Sequence, residues 1–318
     1  MLNVILLLAG FALLIYGANM LVDGASSLAK KYNIPNIVIG LTIVAFGTSS
    51  PEMVVNVFAS LDENSDIALG NIIGSNIFNV LGILGVSSLV YPLTVKANTT
   101  WIEIPLSLLS AIVVLILAND AILDKAEVSI ITRIDGLILL CFFIVFMVYN
   151  YTLMTSTQER EDLKVKDYSK LKSVLFIILG LGMLTLGGRV IVNSATKLAQ
   201  MAGISERVIA LTVVSVGTSF PELATSVVAA MKKNVDIAIG NIVGSNIFNA
   251  FLVLGVSSTI YPVAAPGNTN VDLVVNVVAS LLLFTVLFTG KRGKIDRWEG
   301  AVFVTLYAAY VVWLIWQG

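Results

Sequence analysis

Histidine is absent from this 318-residue chain, and cysteine occurs once, at Cys141. A lone cysteine excludes an intrachain disulfide, and the missing histidine excludes Cys/His zinc sites and the base of a Ser–His hydrolytic pair. Charge is scarce as well. Only 12 % of residues are Asp, Glu, Lys or Arg, against about 25 % in soluble domains. The net charge of −1 provides no basic field for nucleic acid. Any metal site must therefore be built from oxygen, which suits hard cations.

Apolar residues fill the composition instead. They make up 57 % of the chain, and mean hydropathy is +0.94. This composition implies an all-α polytopic membrane protein lodged in a lipid bilayer. Runs of spanning length predict ten transmembrane helices near 2–21, 36–60, 67–91, 101–118, 133–154, 173–195, 207–231, 236–261, 271–289 and 298–316. The N-terminal run has no basic start and no clear cleavage site, so it reads as a retained span.

One stretch is written twice, 170 residues apart and without a gap. GTSSPE (Gly47–Glu52) and GNIIGSNIFN (Gly70–Asn79) recur as GTSFPE (Gly217–Glu222) and GNIVGSNIFN (Gly240–Asn249). Five spans per copy is an odd number, so two copies in series enter the membrane from opposite sides. The expected fold is two inverted five-helix repeats, 1–154 and 173–318, joined by a charged cytoplasmic linker over 155–172. Basic residues set the orientation. Lys30, Lys31, Lys96, Lys232, Lys233, the linker lysines with Arg160, and Lys291, Arg292, Lys294 and Arg297 share one side. Only Lys125, Arg133, Lys197 and Arg207 edge the other, so both termini are expected outside a cell (plasma) membrane.

Each repeat buries one acid in an apolar run, Glu52 and Glu222, and an intramembrane acid is a functional-site hypothesis by default. Pro51 and Pro221 lack the N–H that would bond the carbonyls of Gly47 and Gly217. Neighbouring carbonyls at Ala45, Thr48, Ser215 and Thr218 are expected to turn toward a cavity, beside the hydroxyls of Thr48, Ser49, Thr218 and Ser219. Ser75 and Asn79 share a helix face, as do Ser245 and Asn249. Asn71 and Asn241 extend these stripes and read as interhelical glue, while Asp66 and Asp236 read as helix caps. Two carboxylates, amides and hydroxyls form an oxygen cage that fits Ca²⁺, and monovalent ions or protons could balance it equally. A channel and an intramembrane hydrolase are the rival classes; a hydrolase does not account for the duplicated prolines and amides, and a channel needs weaker sites than this deep, highly charged cage.

At these four motifs the chain resembles the sodium/calcium exchangers of the calcium:cation antiporter superfamily. The resemblance implies counter-transport of Na⁺ against Ca²⁺, electrogenic, with these ions as substrates and no cofactor. It implies that Glu52 and Glu222 hold Ca²⁺ with the Thr48 and Thr218 carbonyls. It assigns Na⁺ to the same glutamates with Ala45, Ser49, Ser75, Ser215, Thr218, Ser219 and Ser245, and puts Asn79 and Asn249 at the centre. Potassium-dependent members carry Asp where Asn249 stands, so no K⁺ requirement is expected; a proton-coupled exchanger is the alternative. Spans one and six would slide over the core, eased by Gly10, Gly17, Gly180, Gly182, Gly187 and Gly188. No oligomeric state follows from the sequence, and no regulatory calcium-sensing loop is expected.

Overall fold

The computed structural model describes residues 2–155, 166–201, 215–290 and 292–317. The chain is an integral membrane protein, helical apart from two pairs of two-residue strands. Seven of the described helices are long and apolar enough to cross a bilayer, and a bent pair, Asn36–Thr48 with Ser50–Leu61, brings the number to eight. Phe220–Met231 and Asn270–Val286 are apolar but shorter. The expected span segment 207–214, most of the expected linker (156–165) and Lys291 lie outside the described residues.

Two helices run well past their expected ends. Leu2–Tyr32 has 31 residues and Lys170–Met201 has 32. At ~1.5 Å per residue each is about 46–48 Å long, more than the ~30 Å hydrocarbon core, so each has length to slope across it or to project beyond it. Hydropathy falls over Gly17–Tyr32, but no helix-stopping signal comes before Asn33, which is left-handed at φ 53°, and Pro35. The two helices pack antiparallel with their backbones touching. A Cβ added at Gly10 would lie 3.1 Å from the Gly187 carbonyl oxygen, at Gly17 2.9 Å from that of Gly180, and at Gly24 2.8 Å from that of Ser173. Gly182 faces open space, and Gly188 looks toward Gly217 instead. The seam therefore uses four of the six expected glycines and adds Gly24.

Ser65–Val90 and Val235–Ile260 form the core. They bury 78 % and 94 % of their apolar windows, against 22 % and 17 % for the outer helices Arg133–Thr155 and Arg297–Trp316. Their caps are Asn64 and Asn234, whose side chains accept from the N–H groups of Ile67 and Ile237. Asp66 and Asp236 are thus not the caps; each lies in its helix's first turn, and Asp236 pairs with Lys96 at 2.8 Å. An asparagine one step outside the helix reaches back to the free N–H groups, whereas an acid inside the first turn interacts with the helix dipole.

Each outer helix docks on the core helix of the other half. A Cβ at Gly136 would meet the Gly255 carbonyl oxygen at 2.8 Å, and one at Gly300 would meet that of Gly85 at 2.7 Å. The strands trade in the same way: Leu93–Thr94 pairs antiparallel with Lys294–Ile295, and Ile130–Ile131 with Val263–Ala264. Tyr149 donates a hydrogen bond to Glu103, and Tyr310 donates one to Asp272 at 2.7 Å, tying outer helices together within each half.

Gly17→Ala should force the two long helices apart, costing about 1–3 kcal/mol as overpacking does, and should lower the unfolding midpoint of the purified protein. Gly182→Ala should leave that midpoint unmoved. Equal effects would contradict the seam.

Candidate cation site

The two acids owe their position to a break in the backbone. Ser49 (φ −82°, ψ 5°) and Ser219 (φ −89°, ψ 8°) leave helical geometry just before Ser50–Leu61 and Phe220–Met231 begin. Proline near the start of each new helix enforces the break, since it has no N–H to continue the previous one. The first pair bends by 47°. Glu52 and Glu222 then fall in the first turn of a helix that begins inside the protein, near the positive end of its dipole. Both are 1 % exposed.

Each acid is held by the opposite half. Ser49 Oγ donates to Glu222 Oε1 at 3.0 Å, and Ser219 Oγ donates to Glu52 Oε1 at 3.2 Å. Ser219 and Ser75 hydroxyls also bond, at 3.1 Å. Thr48 donates to Asn241 Oδ1 at 3.0 Å, and Thr218 donates to Asn71 Oδ1 at 3.4 Å. Asn71 in turn donates to Asn56 at 2.6 Å, and Asn241 donates to Ser226 at 2.9 Å and to the Glu222 carbonyl at 3.3 Å. Asn71 and Asn241 are interhelical glue, as expected, and they are also what fixes the two threonines.

Asn79 Nδ2 donates to Asn246 Oδ1 at 2.9 Å, and Asn249 Nδ2 donates to Asn76 Oδ1 at 3.0 Å. Among the buried acceptors without a hydrogen-bond donor, four belong to these motifs, Glu52 Oε2, Glu222 Oε2, Asn79 Oδ1 and Asn249 Oδ1; Glu103 Oε2, Asn150 Oδ1 and Asn276 Oδ1 are bare elsewhere. Ser245 Oγ is likewise buried and unpartnered. Burying bare acceptors costs about 1–3 kcal/mol each, more for a charged group. Positive charge placed among such oxygens would offset that cost. Among the described residues no cluster of three Asp, Glu, His or Cys occurs, so the charge of the site comes from two carboxylates.

Two expectations need adjusting. The Ala45 carbonyl does not turn out of its helix: it accepts the Ser49 N–H at 2.9 Å and lies 3.3 Å from the Thr48 hydroxyl. Ser215 opens a short turn, Ser215–Gly217, and its side chain lies outside the described residues. Sequence reading assigned no role to Asn76, Asn246, Asn56 or Ser226. Asn76 and Asn246 stand inside the duplicated GSNIFN motif, and their recurrence there was the available signal.

A family model described as sodium/calcium exchanger protein matches residues 2–152 and 172–316. The chain belongs to the sodium/calcium exchanger family. It is a cation antiporter of the membrane, and its similar proteins span it almost end to end. The inner membrane protein YrbG of Escherichia coli (strain K12) is 36 % identical over 323 residues, 97 % of this chain and 94 % of that one. The sodium/calcium exchanger MaX1 of Methanosarcina acetivorans is 30 % identical over 351 residues, covering 99 % of each. The solved structure of the sodium-calcium exchanger NCX_Mj soaked with 10 mM Na⁺ and zero Ca²⁺ superimposes with a TM-score of 0.84 at 33 % identity, over 98 % of each chain. In this exchanger-family chain the oxygen cage sits where the two halves meet, with the duplicated motifs facing one another.

Ser49→Ala and Ser219→Ala each take a hydroxyl donor from a buried carboxylate. Each should destabilise the purified, cation-free protein by about 1.5–3 kcal/mol, the range for hydrogen bonds to charged groups. Unfolding midpoints that match the parent's would contradict these contacts.

Proposed function

We propose that the chain exchanges Na⁺ for Ca²⁺ by alternating access, the two ions competing for one site built on Glu52 and Glu222. The observation that carries this reading is the pair of buried glutamates. Each comes from one half, is bonded by a serine of the other, and keeps one oxygen without a donor. Ca²⁺ is held by both glutamates with the Thr48 and Thr218 carbonyls. Na⁺ uses the same glutamates with Ser49, Ser75, Ser215, Thr218, Ser219 and Ser245, and Asn79 and Asn249 line the centre; Ala45 joins through the carbonyl lone pair that its bond to the Ser49 N–H leaves free. Oxygen donors suit both ions. Two carboxylates balance one Ca²⁺, so binding of either ion set excludes the other, which is the requirement for exchange without leak. More charge moves as Na⁺ than as Ca²⁺, making the cycle electrogenic. Asn at both 79 and 249 leaves no third acid at the centre, and transport needs no K⁺.

The architecture under this reading is ten spans in two inverted repeats joined by a cytoplasmic linker, in the plasma membrane with both termini outside. The antiparallel packing of the equivalent helices Leu2–Tyr32 and Lys170–Met201 supports the inversion. So do the contacts traded between halves. The orientation draws support from loops that the charge rule assigns to one side: the segment holding Lys96 pairs with the one holding Lys294 and with Asp236. The long helices slide over the core on their glycine seam and open the site to each side in turn.

In proteoliposomes free of K⁺, an imposed Na⁺ gradient should drive Ca²⁺ uptake, and Glu52→Gln or Glu222→Gln should reduce it to background. Uptake that answers only to a pH gradient would make the partner ion H⁺. Undiminished uptake in both variants would remove the site.

A further inference from the structure

A primary amide has two ends of opposite polarity, so Asn79 and Asn249 help a cation only with oxygen inward. A carboxylate would present oxygen either way; both central positions in this chain are amides. We propose that Asn76 and Asn246 are positioning residues that fix the polarity of Asn249 and Asn79, holding both amide oxygens toward the cation. The inference rests on the cation-site reading above.

The polarity can be traced from the backbone. Asn76 Nδ2 donates to the Asn246 carbonyl oxygen at 3.3 Å, and Asn246 Nδ2 donates to that of Asn76 at 3.4 Å. A backbone carbonyl only accepts, so each of these contacts selects the NH₂ end of its amide. That leaves Asn76 Oδ1 and Asn246 Oδ1 as acceptors, and they take the NH₂ groups of Asn249 and Asn79 at 3.0 and 2.9 Å. Turning Asn249 over would set two amide oxygens against each other at hydrogen-bonding distance and aim an NH₂ group at the cation. All four residues are at most 2 % exposed, so no bulk water compensates. Asn79 Oδ1 and Asn249 Oδ1 are both left without a donor, in matching positions of the two copies. The orientation is reciprocal: each half fixes the amide of the other.

Equilibrium Ca²⁺ binding to the full-length purified chain tests this through a double-mutant cycle. Asn76→Ala should weaken binding about 10-fold or more, the scale of a lost hydrogen bond that organises a charged site. In an Asn249→Asp background, where oxygen faces the ion in either orientation, Asn76→Ala should change the affinity by no more than about two-fold, within the scatter expected of uncoupled sites. An equal loss in both backgrounds, or no loss in either, overturns the proposal. If Asn76→Ala does not fold, the mirror cycle of Asn246→Ala with Asn79→Asp carries the same expected result, and the same two outcomes overturn it. Glu52→Gln separates the two levels. If it leaves Ca²⁺ affinity unmoved, the cation site itself is wrong; if it abolishes binding while the asparagine cycle is additive, only the polarity argument fails.

Discussion

Two buried carboxylates that no cationic side chain neutralises among the described residues govern this structure. Glu52 and Glu222 are closed off from solvent, and the serine hydroxyls that bond them are neutral donors, which carry no opposite charge. A charge kept out of water is strongly unfavourable unless something of opposite sign joins it. In the exchange we propose, a mobile cation is that partner. Prolines that break helices at mid-span, asparagines that present oxygen rather than NH₂, and unpartnered buried acceptors all make sense as parts of a site completed by a cation.

Duplication solves the assembly problem. One half supplies an acid and the hydroxyl for the other half's acid; the same trade recurs among the amides, outer helices and strands. Each half thus completes the hydrogen bonding of the other half's site residues. The exchange is not complete, however. Asp23 on the first long helix pairs with Lys232 at 2.7 Å and Lys166 at 3.1 Å, while the positions equivalent to Asp23 and Lys232 in the other copy hold Asn193 and Asp62. The two faces of the molecule are therefore not chemically alike.

The motifs of the candidate site were legible in the sequence because their chemistry is local and repeated. Proline followed by glutamate in an apolar run identifies a broken helix carrying an acid, and the second copy removes coincidence. Ser75 with Asn79, and Ser245 with Asn249, followed from helical spacing alone. Features that depend on a neighbour were harder to read. The ends of the long helices were missed because hydropathy measures fitness for lipid, whereas Gly17–Tyr32 is stabilised by backbone contact with its partner helix. Asn64 and Asn234 were passed over as caps because an acid stood two residues further on, and the choice depends on which side chain can turn back. Asn76 and Asn246 carried no role in the sequence, since the direction of an amide is set only when the opposite half supplies a carbonyl. The widened π turns at Phe78–Leu84 and Phe248–Val253, which carry Asn79 and Asn249, have no signature in a period-based reading.

The central claim is that the two halves share one cation between Glu52 and Glu222. Anomalous diffraction from crystals of this chain soaked in Ca²⁺ tests it most directly. A peak within about 2.3–2.6 Å of oxygens from both glutamates is the predicted result. A peak bound by only one of them or lying elsewhere, or none at saturating Ca²⁺, would contradict the account.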